Sequence, residues 1–170
     1  ALSPVASLTP AASASVALSA GQLVWEGASL LTRSGAYAVR VTLGGLDLSG
    51  GLFRLDVRPQ AQADARHCVV RGLEAAWTHL SPQPMVVRLA DGFSFEVAAH
   101  DRYANEMVGG GSDFVSHIVP GNMSADGAFS ARVTDLGNGR HAVDIPPLGV
   151  AGAHALSVLV RGEHVSGSPF

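Results

Sequence analysis

Apolar and polar residues alternate with a period of two in several stretches of the chain. Phe93, Phe95 and Val97 alternate with Ser94, Glu96 and Ala98, and Phe129, Ala131 and Val133 alternate with Ser130, Arg132 and Thr134. That period places one set of side chains on a covered face and the other on an open face, so both stretches are predicted as half-buried strands. Arg66–Arg71, Phe114–Val119 and His141–Ile145 are read as further short strands, and Met85–Leu89 as a strand or a strand extension. The connections carry turn chemistry. Gly72-Leu73 closes the first strand, Pro82 and Pro84 sit in a loop, and 101–113 is a polar, glycine-rich loop. Pro120–Gly127 is a turn region, and Asp135–Gly139 ends in Asn138-Gly139, a strong hairpin signal. About seven short antiparallel strands in about 105 residues is the count for an immunoglobulin-like sandwich.

Two segments of the chain align without a gap. Ser34–Phe53 reads SGAYAVRVTLGGLDLSGGLF and Ala151–Phe170 reads AGAHALSVLVRGEHVSGSPF, with eight identities in twenty positions at a constant offset of 117. The shared positions include Gly35/Gly152, Val41/Val158, Gly45/Gly162, Ser49/Ser166, Gly50/Gly167 and Phe53/Phe170. A fixed offset is the mark of a repeated structural unit. Each copy reads as a hairpin: in the second, Ala153, Ala155, Ser157 and Leu159 alternate with His154, Leu156, Val158 and Val160 before a turn at Arg161-Gly162-Glu163. Gly167 and Pro169 then interrupt the returning strand, as at a bulge or an edge. The first copy continues through Arg54–Val57, whereas the second stops at Phe170. The expected organisation is therefore a partial repeat over 1–60 and a second repeat over 61–170 whose last strand is truncated, in a chain that is a piece of a longer one.

Composition narrows the class. The chain has 170 residues, 47% of them hydrophobic, with 20 glycines, 9 prolines and a net charge of −3. It has no basic run interleaved with aromatics, so nucleic acid is not an expected partner. No apolar stretch reaches the roughly 18 residues needed to span a bilayer. The Ala- and Ser-rich start lacks a positive n-region and is not read as a signal peptide. One cysteine, Cys68, permits no intrachain disulfide, so packing must hold the fold.

Candidate chemistry is sparse. The seven histidines, His67, His79, His100, His117, His141, His154 and His164, show no ligand spacing, so no metal or cofactor is expected. Asp101, Asn105 and Asp113 do not match a calcium loop and read as caps of turns. There is no Gly-x-Ser-x-Gly elbow and no phosphate-cradling loop before a helix, so no catalytic residue is assigned. Asn122-Met123-Ser124 is a glycosylation sequon, which matters only in a secreted chain.

The residues of 135–170 carry a longer pattern: an Asp-x-Gly-x-Gly turn at Asp135, Gly137 and Gly139, then Pro146, Gly152, Gly162 and Val165, closing in Gly167-Ser168-Pro169-Phe170. With Asp64, Gly72-Leu73, an Asp-x-x-x-Asn loop at Asp101–Asn105 and Gly111-Ser112-Asp113-Phe114 before the third strand, this pattern resembles the filamin repeat. The resemblance covers about residues 64–170, and roughly 21–58 as the closing strands of a preceding repeat. The chain departs from the family at His141 and His154 (usually Tyr), at Ala104 (usually Gly) and at Gly51-Leu52 in place of Ser-Pro.

The resemblance implies a non-catalytic, all-β module of a larger scaffold or cytoskeleton-associated protein, with neighbouring repeats and other proteins as partners. An extracellular adhesion repeat is the alternative. It implies a partner-binding groove between the third and fourth strands, where a peptide adds as an extra strand. Mapped here, the groove is expected to use Val115, His117, Val119, Ser130, Arg132 and Thr134. It also places His154 at a core aromatic position, where an uncharged imidazole predicts acid sensitivity below roughly pH 6.

Overall fold

The computed structural model describes residues 16–19, 22–25, 31–43, 46–73, 77–78, 81–82, 86, 91–121 and 128–170. The expectations for Met85–Leu89, for the Pro120–Gly127 turn beyond Gly121, for His79 and for Asn122 lie outside the described residues. The chain divides into two compact units, Ala1–Arg58 and Pro59–Phe170.

The described residues of unit 1 form two antiparallel hairpins. β1 (Val16–Ser19) pairs with β2 (Gln22–Trp25), and β3 (Gly35–Leu43) pairs with β4 (Leu46–Val57). The β3–β4 hairpin is the first copy of the repeated segment. Leu46, Leu52 and Phe53 on β4 are exposed.

Unit 2 is a sandwich of two antiparallel sheets. Its strands are β5 (Val69–Arg71), β8 (Phe93–Ala98), β9 (Phe114–Pro120), β10 (Phe129–Ser130), β11 (Arg132–Asp135), β12 (Arg140–Ile145), β13 (His154–Val160) and β14 (Glu163–His164), with a small hairpin of β6 (Trp77–Thr78) and β7 (Ser81–Pro82). One sheet has the order β10-β9-β13-β14 and the other β11-β12-β8-β5. This is the division of an immunoglobulin constant-type sandwich: first, second, fourth and fifth strands in one layer, third, sixth and seventh in the other. The layers are joined by their apolar faces. Phe95, Val97, Val143 and Ile145 come from one sheet, and Phe114, Ile118, Leu156, Val158 and Val160 from the other, all buried in a single cluster. Burying side chains of this size contributes about 1.5–3 kcal/mol each, which gives a disulfide-free domain its cohesion.

Three strands differ from the sequence reading, each for a local reason. The first starts at Val69 instead of Arg66, because Asp64 folds the chain into a turn: its Oδ1 accepts from the Arg66 N–H at 2.9 Å and its carbonyl from the His67 and Cys68 N–H groups at 3.1 and 3.2 Å. The fourth strand breaks at Ala131 into β10 and β11, which belong to different sheets. Pro82, expected in a loop, lies in the two-residue β7, a pairing too short for alternation to reveal.

The turns follow their residues closely. Asp135 Oδ1 accepts from the Gly137 N–H at 2.8 Å, and Asn138 Oδ1 from the Arg140 N–H at 3.1 Å. Gly139 has φ +80°, and a Cβ there would run into the carbonyl oxygen of Met107, so only glycine lets this turn dock on the 101–113 loop. That loop is organised by Asp101, which caps turns as expected. Its buried carboxylate accepts from the Gln60, Tyr103 and Asn105 N–H groups and from the Asn105 side-chain amide. Burial works to raise its pKa, but these accepted bonds outweigh it and hold the carboxyl below the usual carboxylate range. Ala104 has φ +62° in this loop.

An ion network crosses the outer face of the β5 sheet. Arg140 meets Glu106 at 2.9 Å and Glu96 at 3.3 Å, and Arg71 meets Glu106 at 3.5 Å. Partial burial opposes the charge on Glu106, yet the two arginines keep its pKa below the ordinary value.

Candidate functional site

The site follows from where β9 sits. Its residues alternate as the sequence predicted: Phe114, Ser116, Ile118 and Pro120 are buried, Val115 is 58% exposed, and His117 and Val119 are half-buried. The cross-strand register defines the surface around them. His117 lies between Ser130 of β10 and Ser157 of β13, Val119 lies beside Ala155, and Val115 beside Leu159. Directly opposed residues share a face. The outer face of this sheet is thus a polar centre of Ser130, His117 and Ser157 flanked by two apolar pairs.

Arg132 and Thr134 do not join that face. They pair with Asp144 and Ala142 of β12, in the other sheet. The reason is the break at Ala131, whose N–H still donates to the Ser116 carbonyl at 2.9 Å before the chain changes layers. Of the six residues expected to line the groove, the structure brings together Val115, His117, Val119 and Ser130. Leu159 and Ala155 complete the surface. Their alternation along β13 was visible in the sequence, but only the β9–β13 register places them beside the valines.

At the break the chain passes from β10, beside β9, to β11 in the other sheet. β10 pairs with β9 at Ile118 and His117, and the ladder ends at the Ala131–Ser116 bond, leaving Phe114 and Val115 upstream of it. At the end of β11, Asp135 Oδ2 accepts from the Gly111 N–H at 2.6 Å while Oδ1 accepts from the Gly137 N–H at 2.8 Å. These accepted bonds hold the Asp135 carboxyl below the usual carboxylate range, so it stays ionised and keeps the loop before β9 fastened to the end of β11.

The histidine expectation is corrected by the packing. The fully buried imidazole is His141, 1% exposed, tilted against the Phe114 ring at 4.6 Å between centroids. Neither of its ring nitrogens has a hydrogen-bond partner, and Nε2 stands 3.7 Å from Asp135 Oδ1. His154 is half-buried and holds the Gly152 carbonyl through Nδ1 at 2.9 Å. It sits at the end of β13, opposite buried Pro120, with its Nε2 covered and unpartnered. Among the described residues no cluster of His, Cys, Asp and Glu could hold a metal ion. Cys68 is buried with its thiol donating to the Asp64 carbonyl at 3.2 Å, and burial pushes its pKa up.

Unit 2 is therefore an all-β, immunoglobulin-like antiparallel sandwich, an assignment that rests on strand order and burial. No protein-family profile matches the sequence. Among solved structures the chain is similar to the Lin-41 filamin domain, with 20% identity and a TM-score of 0.47 over 65% of this chain and 93% of that one. It is also similar to FdeC, an Escherichia coli adhesin, with 17% identity and a TM-score of 0.48 over 79% of this chain. The match spans 38% of the FdeC chain.

Proposed function

We propose that unit 2 is a non-catalytic protein-interaction module of a larger scaffold, and that it takes up an extended partner segment as an added strand on β9. The single observation behind this reading is the break at Ala131, which leaves the start of β9 beyond the β10 ladder next to exposed Val115. Backbone N–H and C=O groups of a strand edge supply affinity, and alternating side chains supply specificity. Val115 and Val119 would receive the apolar side chains of the partner, and His117 between them a polar one. β10 occupies the neighbouring edge with only two paired residues, so a longer partner strand displaces it.

A library of extended peptides selected against the full chain tests this. Bound peptides are expected to shift the amides of Val115–Val119 and Phe129–Ala131. Val119→Asp abolishes binding, and Phe129→Ser, which weakens β10, tightens it. Peptides that perturb only the β5 sheet would remove the basis of the proposal.

The matching backbone of the two repeated segments supports a tandem arrangement. Gly35 and Gly152 have φ +142° and +132°, and Gly50 and Gly167 have φ +72° and +87°. On this reading residues 1–60 are the closing part of a preceding repeat and 61–170 a second one, a spacer in a series. A cell-surface adhesion repeat is the second reading, favoured by the sequon at Asn122. A glycosidase-sensitive mass on the chain from its native source would select it.

A further inference from the structure

We infer that a cavity at the entry end of unit 2 binds an oxyanion group of the carboxylate or phosphate kind. The cavity, about 330 Å³, is lined by Gln60, Gln62, Asp64, Arg102, Arg161 and Glu163, with Ala63, Ala65 and Val160 behind them. It lies where the chain enters the sandwich, beside the β13–β14 turn and the start of the 101–113 loop.

The first argument is backbone strain. Arg161 and Gly162 form the two-residue turn between Val160 and Glu163, with φ +55° and +82°. A turn with both central residues at positive φ suits Asn-Gly or Gly-Gly, and arginine there is disfavoured. The repeated segment has Gly44-Gly45 at the same place. The strained residue brings a guanidinium to the cavity wall, and strain of this kind points to a use for the side chain.

The second argument is how the two guanidiniums are held. The Gln62 side-chain carbonyl, in the amide orientation its hydrogen bonds require, accepts from both terminal nitrogens of Arg161, from Nη2 at 2.8 Å. Arg102 lies over the Tyr103 ring at 4.6 Å and donates to its hydroxyl at 2.5 Å. Both anchors are neutral, and among the described residues neither arginine makes an ion pair. Of the carboxylates in the wall, Asp64 accepts from the Arg66 N–H at 2.9 Å, and Glu163 is exposed. Each guanidinium has five N–H donors, more than these contacts use, and its planar fork matches the two oxygens of a carboxylate or phosphate.

Isotope-labelled full chain titrated with inorganic phosphate, and separately with acetate, at constant ionic strength in chloride, tests this. Saturable shifts are expected at the Gln62, Arg102 and Gly162 amides. The anion that binds more tightly identifies the phosphate or the carboxylate source. Arg161→Gly restores the relaxed turn, so its folding is not at risk, and it should weaken binding by at least about tenfold. Arg102→Gln should do the same, and Arg132→Gln, in the other sheet, should leave binding unchanged. No saturable shift with either anion, or full-strength binding by Arg161→Gly, overturns the proposal.

Discussion

Replacing Asp101 with alanine removes the acceptor on which a whole loop depends. Asp101 is 1% exposed, and its carboxylate receives three backbone N–H groups: Gln60 at 3.0 Å, Tyr103 at 2.9 Å and Asn105 at 3.0 Å. Losing a partner leaves each partly buried donor unsatisfied at a cost of about 1 kcal/mol, the low end of the range, so the substitution should cost about 3 kcal/mol. Against the roughly 5–15 kcal/mol of a typical domain, this is a large fraction. Asp101→Asn retains one acceptor oxygen and should cost less than half as much.

The sign of the pH effect follows from the lowered pKa. A carboxyl whose folded pKa is depressed contributes stability that is fully present above its unfolded value of about 3.9, and loses it as pH falls through the lower folded value. The wild type should therefore lose more stability on acidification than Asp101→Ala, in which Asp135 and Glu106 still supply an acid limb. Urea unfolding followed through the amide signals of β8 and β12 reads this unit alone. A loss below about 1 kcal/mol, or an unchanged acid limb, would refute the argument.

Two further outcomes are expected. His141→Phe removes two buried ring nitrogens that have no hydrogen-bond partner and keeps the contact with Phe114, so it should stabilise the unit by about 1 kcal/mol in equilibrium unfolding; a loss of similar size would show that the imidazole has a compensating role. Because burial raises the Cys68 pKa and shields the thiol, iodoacetamide should label it at near-neutral pH many times more slowly in the native chain than in urea, and equal rates would contradict the packing.

How much could be read beforehand depended on the range of the interactions involved. Strands β8, β9, β12 and β13 were legible because each alternates over five residues or more and faces one core. The Asp135–Gly139 turn and the Asp101 caps were legible because Asx chemistry acts over a few residues. The layer change at Ala131 was not, since the alternation of Phe129, Ala131 and Val133 runs unbroken through it; both halves face the same core from different sheets. That is why Arg132 and Thr134 were expected in the groove and found elsewhere. The difference at the histidines has a similar origin: the resemblance puts both His141 and His154 at aromatic positions, and only the packing against Phe114 shows that His141 is the fully covered ring.

The passage of one short stretch from sheet to sheet also has a mechanical consequence. Tension applied to the two ends of unit 2 reaches the segment before β5, whose Ala65 carbonyl accepts from the Ser166 N–H at 3.1 Å, and the Phe170 end, which is bonded to Leu156 at 2.8 and 3.0 Å. A pull of that kind tries to slide the layers past one another. The bond from Ala131 to Ser116 holds the crossing stretch to β9, so part of that shear falls on it.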